Sequence, residues 1–299
     1  MAEINTILAG HDLTEHGSRA LERAGLLAKN LNARLVAVHV IKETPLWWFI
    51  KGENLDPDEV RHNLRFEAIA AIETDADKLT NKPDQPIEAA TTSGLSPYKA
   101  LIREAKAKRA DMIVLGAHSG RHLADYLVGT TAERVASRSE LPVLVNKAAI
   151  SGPYQRVFVA IDFSNTSLDA LKLAKQVAPN AEFTLMHAHE TWFETTIGQS
   201  GASISAYEQL KEEEQQRLEQ KLYKFAQQAE LSEDQFRVEV VLGYPGTAVL
   251  ERINATNPDL VACGNDGLGG VEHLLLGSVA QTILIHAPAD VLIAQREQR

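Results

Sequence analysis

Apolar residues along this chain gather in short blocks rich in Val, Ile and Leu, separated by longer stretches whose apolar positions recur at helical spacing. The blocks are Ile4–Leu8, Arg34–Val40, Asp111–Gly116 and Val143–Val145, then Arg156–Ile161, Glu182–Ala188, Asp259–Gly264 and Val291–Ile293. Near-continuous runs of this kind predict strands covered on both faces. Between them, residues 17–31, 57–80, 97–108 and 131–138 read as helices. A further helix over about 205–230 places Leu218, Leu222, Phe225 and Ala229 on one stripe. Strands alternating with helices imply right-handed crossovers and a parallel sheet.

The blocks also repeat. Ile4 to Asp12 answers to Arg156 to Asp162, each apolar run ending in Asp with a hydroxyl residue (Thr14, Ser164) two places on. Ala20-Leu21 matches Ala170-Leu171 at an offset of 150. At an offset of 148, Arg34–Val40 matches Glu182–Ala188, Asp111–Gly116 matches Asp259–Gly264, Gly129-Thr130 matches Gly277-Ser278, and Val143–Val145 matches Val291–Ile293. Ordered blocks at a nearly constant offset indicate an internal duplication. The expected fold is α/β: two tandem Rossmann-like domains, 1–148 and 153–299, each a five-stranded parallel sheet with helices on both faces. Ser151-Gly152-Pro153 marks the junction.

Length agrees, since 299 residues is twice the commonest domain size. A formal net charge of −10 argues against nucleic acid or an anionic membrane as a bulk partner. It leaves room for a small anion held by backbone amides. The single cysteine, Cys263, excludes an intramolecular disulfide and fits a reducing compartment. Together with the absence of a basic, apolar leader pattern at MAEINTILAGHDLTEH, this gives a cytoplasmic expectation.

In an open parallel sheet, ligands bind beyond the carboxyl ends of the strands. There the second copy reads Gly264-Asn265-Asp266-Gly267, nine residues, then Gly277-Ser278 and a helical stretch from Val279: G-x2-G-x9-G-S. The glycines would let backbone approach a ligand with no Cβ in the way. Ser278 falls where a helix N-cap is expected, so its hydroxyl and the following N–H groups would form an anion site. A nucleoside triphosphate across the strand ends would put ribose near Gly264 and phosphates between Gly267 and Ser278.

Over essentially its whole length the chain resembles a tandem universal stress protein. The resemblance rests on the Asp after strand one, the apolar run into His in strand two, the D-x-x-V/A-x-G run and the G-x2-G-x9-G-S spacing. It implies ATP binding, with Asp162 and the backbone at Ala188 on adenine, Gly264 beside ribose, and Gly267, Gly277 and Ser278 around the phosphates. Ala160 and Val279 complete that set. It also implies an internal pseudo-dimer through the fifth strands, with homodimers of the whole chain as a further option. In the first copy the corresponding set is Asp12, Val40, Gly116, Ser119, Gly129 and Thr130, a weaker site. There the second glycine is replaced by Ser119, which at positive φ costs about 1 kcal/mol. Gly120 could absorb the turn, and Arg121 and His118 could compensate. In the second copy Asp266 would repel a triphosphate unless Mg²⁺ bridges them.

Plainer readings stand beside these. Asp12 and Asp162 also suit a turn before a helix, and His39 and His187 suit structural roles at strand ends. His187-Ala188-His189 and His118-x3-His122 have metal-compatible spacing but lack identifiable third and fourth ligands. Cys263 reads as a buried small hydrophobe. Trp47-Trp48-Phe49 could cap a ligand or pack against the neighbouring copy, and Glu212-Glu213-Glu214 reads as a solvated helix face. The chain has no G-x4-GK[ST] loop, no G-x-G-x-x-G and no G-x-S-x-G, and therefore no motif for fast catalysis. The leading expectation is a non-enzymatic, ATP-binding stress-response regulator with an unidentified protein partner. The alternatives are a slow Mg²⁺-dependent ATPase using Asp266 and a protein-interaction module that binds no nucleotide.

Overall fold

The computed structural model describes residues 3–43, 56–117, 128–189, 204–265 and 276–296. The chain divides into two compact units, residues 2–153 and 154–299. The first runs β1 (Thr6–Gly10), α1 (Glu15–Leu31), β2 (Arg34–Lys42), α2 (Pro57–Asp77), β3 (Glu88–Gly94), α3 (Pro97–Ala107), β4 (Met112–Gly116), α4 (Thr130–Arg138) and β5 (Val143–Asn146). The second runs β6 (Arg156–Ala160), α5 (Asn165–Val177), β7 (Glu182–His189), α6 (Ile204–Gln228), β8 (Phe236–Leu242), α7 (Pro245–Thr256), β9 (Leu260–Gly264), α8 (Ser278–His286) and β10 (Asp290–Ala294).

Within the first unit the strand order is β3-β2-β1-β4-β5, and within the second β8-β7-β6-β9-β10. The pairings between β1, β2, β3, β4 and β5, and between their counterparts, are parallel. Strand order therefore reverses between β1 and β4, and again between β6 and β9, which opens a crevice at each of those carboxyl ends.

The central strands are apolar throughout because both faces are covered: Ile7, Leu8, Ile113 and Val114, like Phe158, Val159, Val261 and Ala262, are fully buried. The helices pack through narrower stripes. Leu218, Leu222 and Ala229 of the α6 region are buried and Phe225 is half-buried, which is the stripe expected from the sequence. In the α2 region Ala68, Ile72 and Leu79 are buried at positions 150 lower.

The acidic residue that opens each D-x-x-V/A-x-G run holds the sheet together. Asp111 Oδ2 accepts the N–H groups of Asn5 and Thr6, both at 2.8 Å. Asp259 Oδ2 accepts those of Gln155 and Arg156 at 2.9 and 3.0 Å. These donors precede or begin the first strand of each unit. Burial works against the charge on Asp259, but those N–H groups and the Arg156 guanidinium hold its carboxyl below the usual range.

Candidate functional site

The site in each unit is built where the first strand ends. The strands pass into His11-Asp12-Leu13-Thr14 and Ile161-Asp162-Phe163-Ser164. The Asp closes a side-chain turn: Asp12 Oδ1 accepts Thr14 N–H at 3.1 Å and Thr14 Oγ1 at 2.6 Å. Asp162 Oδ1 does the same for Ser164, at 2.9 and 2.5 Å. The residue between them is left-handed, φ 60° at Leu13 and 63° at Phe163. That conformation costs roughly 1–2 kcal/mol for a non-glycine residue, and the two bonds to the carboxylate stabilise it. The turn reading of these aspartates is thus realised, with one carboxylate oxygen engaged in each.

Val40 and Ala188 lie where the backbone is exposed past a neighbour. His11 N–H donates to Val38 O at 2.9 Å and Ile161 N–H to Met186 O at 2.8 Å. On a parallel strand, alternate residues present both backbone groups to the same side. The N–H and C=O of Val40 and Ala188 therefore face the side on which β1 and β6 have just ended. His39 Nδ1–H donates to His11 O at 2.8 Å, and His187 Nδ1–H to Ile161 O at 2.7 Å. Both imidazoles pin the end of the first strand to the second, a structural role. Burial lowers the His187 pKa, against the pull of the Ile161 carbonyl.

Gly116 and Gly264 have a packing reason for lacking a side chain. A Cβ on Gly116 would lie 2.8 Å from His16 O, and one on Gly264 would lie 3.0 Å from the carbonyl carbon of Thr166. The close approach at both positions is made by the helix that follows the first strand.

Beyond them, Gly129 N–H donates to Ala117 O, and Gly277 N–H to Asn265 O at 2.8 Å. These bonds tie the two ends of each intervening segment. Gly277 is also the residue whose carbonyl accepts the first bond of α8, from Gln281 N–H at 2.8 Å. It is therefore the N-cap, and Ser278 is the first helical residue with no capping bond, which corrects the N-cap expected at Ser278. Gly129 and Thr130 are related in the same way at α4. What α8 offers an anion is accordingly its first backbone N–H groups, on Ser278, Val279 and Ala280, which have no partner within the helix.

In the first unit these pieces surround a cavity of about 170 Å³, lined by His11, Asp12, His39, Val40, Gly116 and Gly129 among others. Four of the six residues expected there from sequence thus meet in one space, and Thr130 sits exposed at the start of α4. In the second unit Ala160 is the last residue of β6, and Asp162, Ala188, Gly264, Gly277, Ser278 and Val279 lie at the same carboxyl edge. Phe163 stacks obliquely on His187, ring centroids 4.4 Å apart, and meets Phe225 edge-on at 5.4 Å. Lys221 Nζ stands 5.2 Å from the centre of the Phe163 ring. Gly267, Asp266, Ser119, Gly120, Arg121, His118, His122 and Trp47-Trp48-Phe49 lie outside the described residues.

Cys263 is buried at the end of β9, and burial, with the Asp162 charge, pushes its thiol up to about 12. It should resist iodoacetamide at pH 8 in the folded protein and react fully in urea, as mass spectrometry would read; labelling of the native chain would contradict that burial. Among the described residues no group of three or more His, Cys, Asp or Glu side chains could hold a metal ion. Among them, too, no helix is long and apolar enough to cross a membrane. Sequence reasoning did not anticipate the pairing of buried His11 with half-buried Asp75, Nε2 to Oδ2 3.3 Å, beside the first cavity. The signal was available in the duplication, because their counterparts Ile161 and Phe225 are apolar.

The sequence pattern of the universal stress protein family matches the chain twice, over residues 3–147 and 153–295. A universal stress protein of Methanocaldococcus jannaschii is 28% identical over 148 residues, covering 49% of this chain and 85% of that one. Universal stress protein YxiE of Bacillus subtilis is 27% identical over 146 residues, covering 47% of this chain and 97% of its own. The crystal structure of a universal stress protein from Archaeoglobus fulgidus superposes with a TM-score of 0.62 at 20% identity, covering 99% of this chain and 100% of that one.

Proposed function

Because the chain belongs to the universal stress protein family, twice over, we propose that it is an adenine-nucleotide-binding stress-response protein. ATP occupies chiefly the second domain, and its presence changes the surface offered to a protein partner. One observation carries this reading: the backbone of Ala188, the Asp162 turn and the first N–H groups of α8 all lie at one strand edge, together with Gly264, Gly277 and Ser278 of the G-x2-G-x9-G-S motif. Adenine lies against Asp162 and Ala188, ribose passes Gly264, and phosphates lie against the N-terminus of α8, where the helix dipole favours negative charge. Gly267 and Asp266 fall in the sequence between Gly264 and Gly277, and Mg²⁺ offsets Asp266 against the phosphates. On this reading occupancy, rather than rapid turnover, is the signal.

The test is nucleotide content. The chain is purified, denatured, and its released adenine nucleotide quantified, with an ATP titration of the stripped protein. The expected result is about one nucleotide per chain, lost in Gly277→Val and kept in Gly129→Val. Both glycines have backbone angles open to any residue, φ −57° and ψ 150° at Gly277, φ −65° and ψ 147° at Gly129. Valine there adds a side chain at the mouth of the site without forcing the backbone. Absence of binding at millimolar ATP would reject the nucleotide reading and leave the interaction module. The cavity beside Asp12 and Val40 favours a second reading, in which the first domain also takes a ligand. About two nucleotides per chain would support it, with Ser119 tolerated in the glycine's place.

A further inference from the structure

The two copies differ in one coherent way next to their sites. In the first, His11 directly follows β1, Ser18 lies in α1 and Asp75 lies in α2. Positions 150 higher hold Ile161, Leu168 and Phe225. A connected polar cluster in the first domain thus has an apolar residue at each corresponding position of the second, and it lies beside the turn that carries Asp12.

The His11 side chain is 1% exposed, yet it lines the first-domain cavity. Its Nδ1 accepts the Leu13 N–H at 3.1 Å. This bond requires a lone pair on Nδ1, so the ring is neutral with its proton on Nε2. Nε2 points into the fold, 3.3 Å from Asp75 Oδ2 but off the line of a hydrogen bond. Asp75 in turn accepts Ser18 Oγ at 2.6 Å and Lys78 Nζ at 3.0 Å. Ser18 bonds to Asp75 rather than to the imidazole, so the trio does not prime a nucleophile. The titratable and charged groups facing His11 are Asp12 on its own turn, His39 from β2, and Asp75 from α2, with Lys78 reaching Asp75.

We propose that His11 is a proton-operated latch on the first-domain site, closed when the imidazole is neutral and opened when Nδ1 takes up a proton. Protonation puts an N–H on Nδ1 directly against the Leu13 N–H, and the two donors cannot share the space. Leu13 is the left-handed residue of the Asp12 turn, and that turn sits at the cavity wall. Losing the Leu13 bond frees the turn, moves the Asp12 carboxylate from its place, and weakens whatever the cavity holds. The imidazolium meanwhile gains attraction to Asp75, which gives the opened form a defined position for its ring. Burial lowers the His11 pKa, with Asp75 and Asp12 opposing that shift, so the latch opens only below the pH at which an ordinary imidazole takes up its proton. With Ile161 in the corresponding place, the second domain has no such response. As applied to ligand binding, this inference rests on the nucleotide reading of the first domain, whereas the latch itself does not.

Two measurements on the full chain test it. In the ligand-free protein labelled with ¹⁵N-leucine, the Leu13 amide resonance is followed from about pH 7.5 to about pH 5 together with the His11 ring signals. Both should move with one midpoint below that of an ordinary imidazole, and the midpoint should fall further in Asp75→Asn. A Leu13 amide that stays still while His11 titrates would overturn the proposal. In Gly277→Val, which silences the second domain, ATP affinity should fall roughly tenfold per pH unit below the His11 midpoint. His11→Ile should abolish that dependence whatever its affinity at pH 7.5; an unchanged dependence in His11→Ile would sink the latch. If ATP fails to bind this domain at any pH, the nucleotide reading fails there and the Leu13 titration still decides the latch.

Discussion

Replacing Gly264 by valine is expected to destabilise the second domain by about 3 kcal/mol, the upper end of ordinary overpacking. The new Cβ would sit 3.0 Å from both the carbonyl carbon and the Cβ of Thr166, and 3.1 Å from Ser167 N. These atoms belong to the first turn of α5, whose start is fixed by the Ser164 hydroxyl accepting the Ser167 N–H at 3.1 Å. Backbone in a capped turn cannot rotate away as a flexible side chain could. The same substitution at Gly116 meets His16 O at 2.8 Å, so the first domain should suffer at least as much. Urea unfolding followed by hydrogen exchange of peptides from each domain would localise the loss. A second-domain urea midpoint equal to that of the parent would mean that α5 can move aside. The result bears on function as well. Loss of nucleotide in a Gly264 variant reports a damaged sheet, whereas loss in Gly277→Val reports the site.

Phe158→Ala should remove about 3–5 kcal/mol from the second domain, the largest single effect expected in the chain. Phe158 is the middle residue of β6, fully buried, and paired in register with Thr184 on one side and Val261 on the other. Truncation leaves a void on a covered face of the sheet, against a strand that is itself held on both sides, so the surroundings have little freedom to collapse into it. The first domain supplies the control. Its equivalent residue, 150 positions earlier, is Leu8, equally buried in β1. Phe158→Leu should therefore cost about 1 kcal/mol if the second core can adopt the packing of the first. Denaturation of the two variants side by side checks the pair. Equal losses would show that the duplicated cores no longer share a packing solution.

Most of the fold was legible because the central strands are buried on both faces and so read as unbroken apolar blocks. Helices such as α1 and α6 announced themselves through narrow stripes. β3, Glu-Ala-Ala-Thr-Thr-Ser-Gly, gave no such signal, since it lies at the edge of its sheet and each of its residues is only half-buried. At the site, the order of elements put Asp162, Ala188, Gly264 and Gly277 at one edge. Their local reasons had to come from geometry. Spacing alone cannot tell an N-cap from the first helical residue, because that depends on which carbonyl accepts the first helical bond, here Gly277 O. Nor can spacing tell a glycine that admits a ligand from one that admits a helix, as at Gly264. The His11–Asp75 pair escaped notice because its partners are 64 residues apart and meet only once α2 has packed.

In each unit a single main-chain bond joins the residues that flank the stretch after the fourth strand, Gly129 to Ala117 and Gly277 to Asn265. Neither bond uses a side chain, so neither depends on what lies between. Closing a segment whose ends already meet adds little entropic penalty as its length changes. After the duplication, mutation could rewrite the sequence between those anchors in one copy while its sheet, helices and core stayed under their original constraints. The arrangement separates a stretch of the gene that is free to change from the part that must keep folding, and two such stretches in one chain can evolve at different speeds.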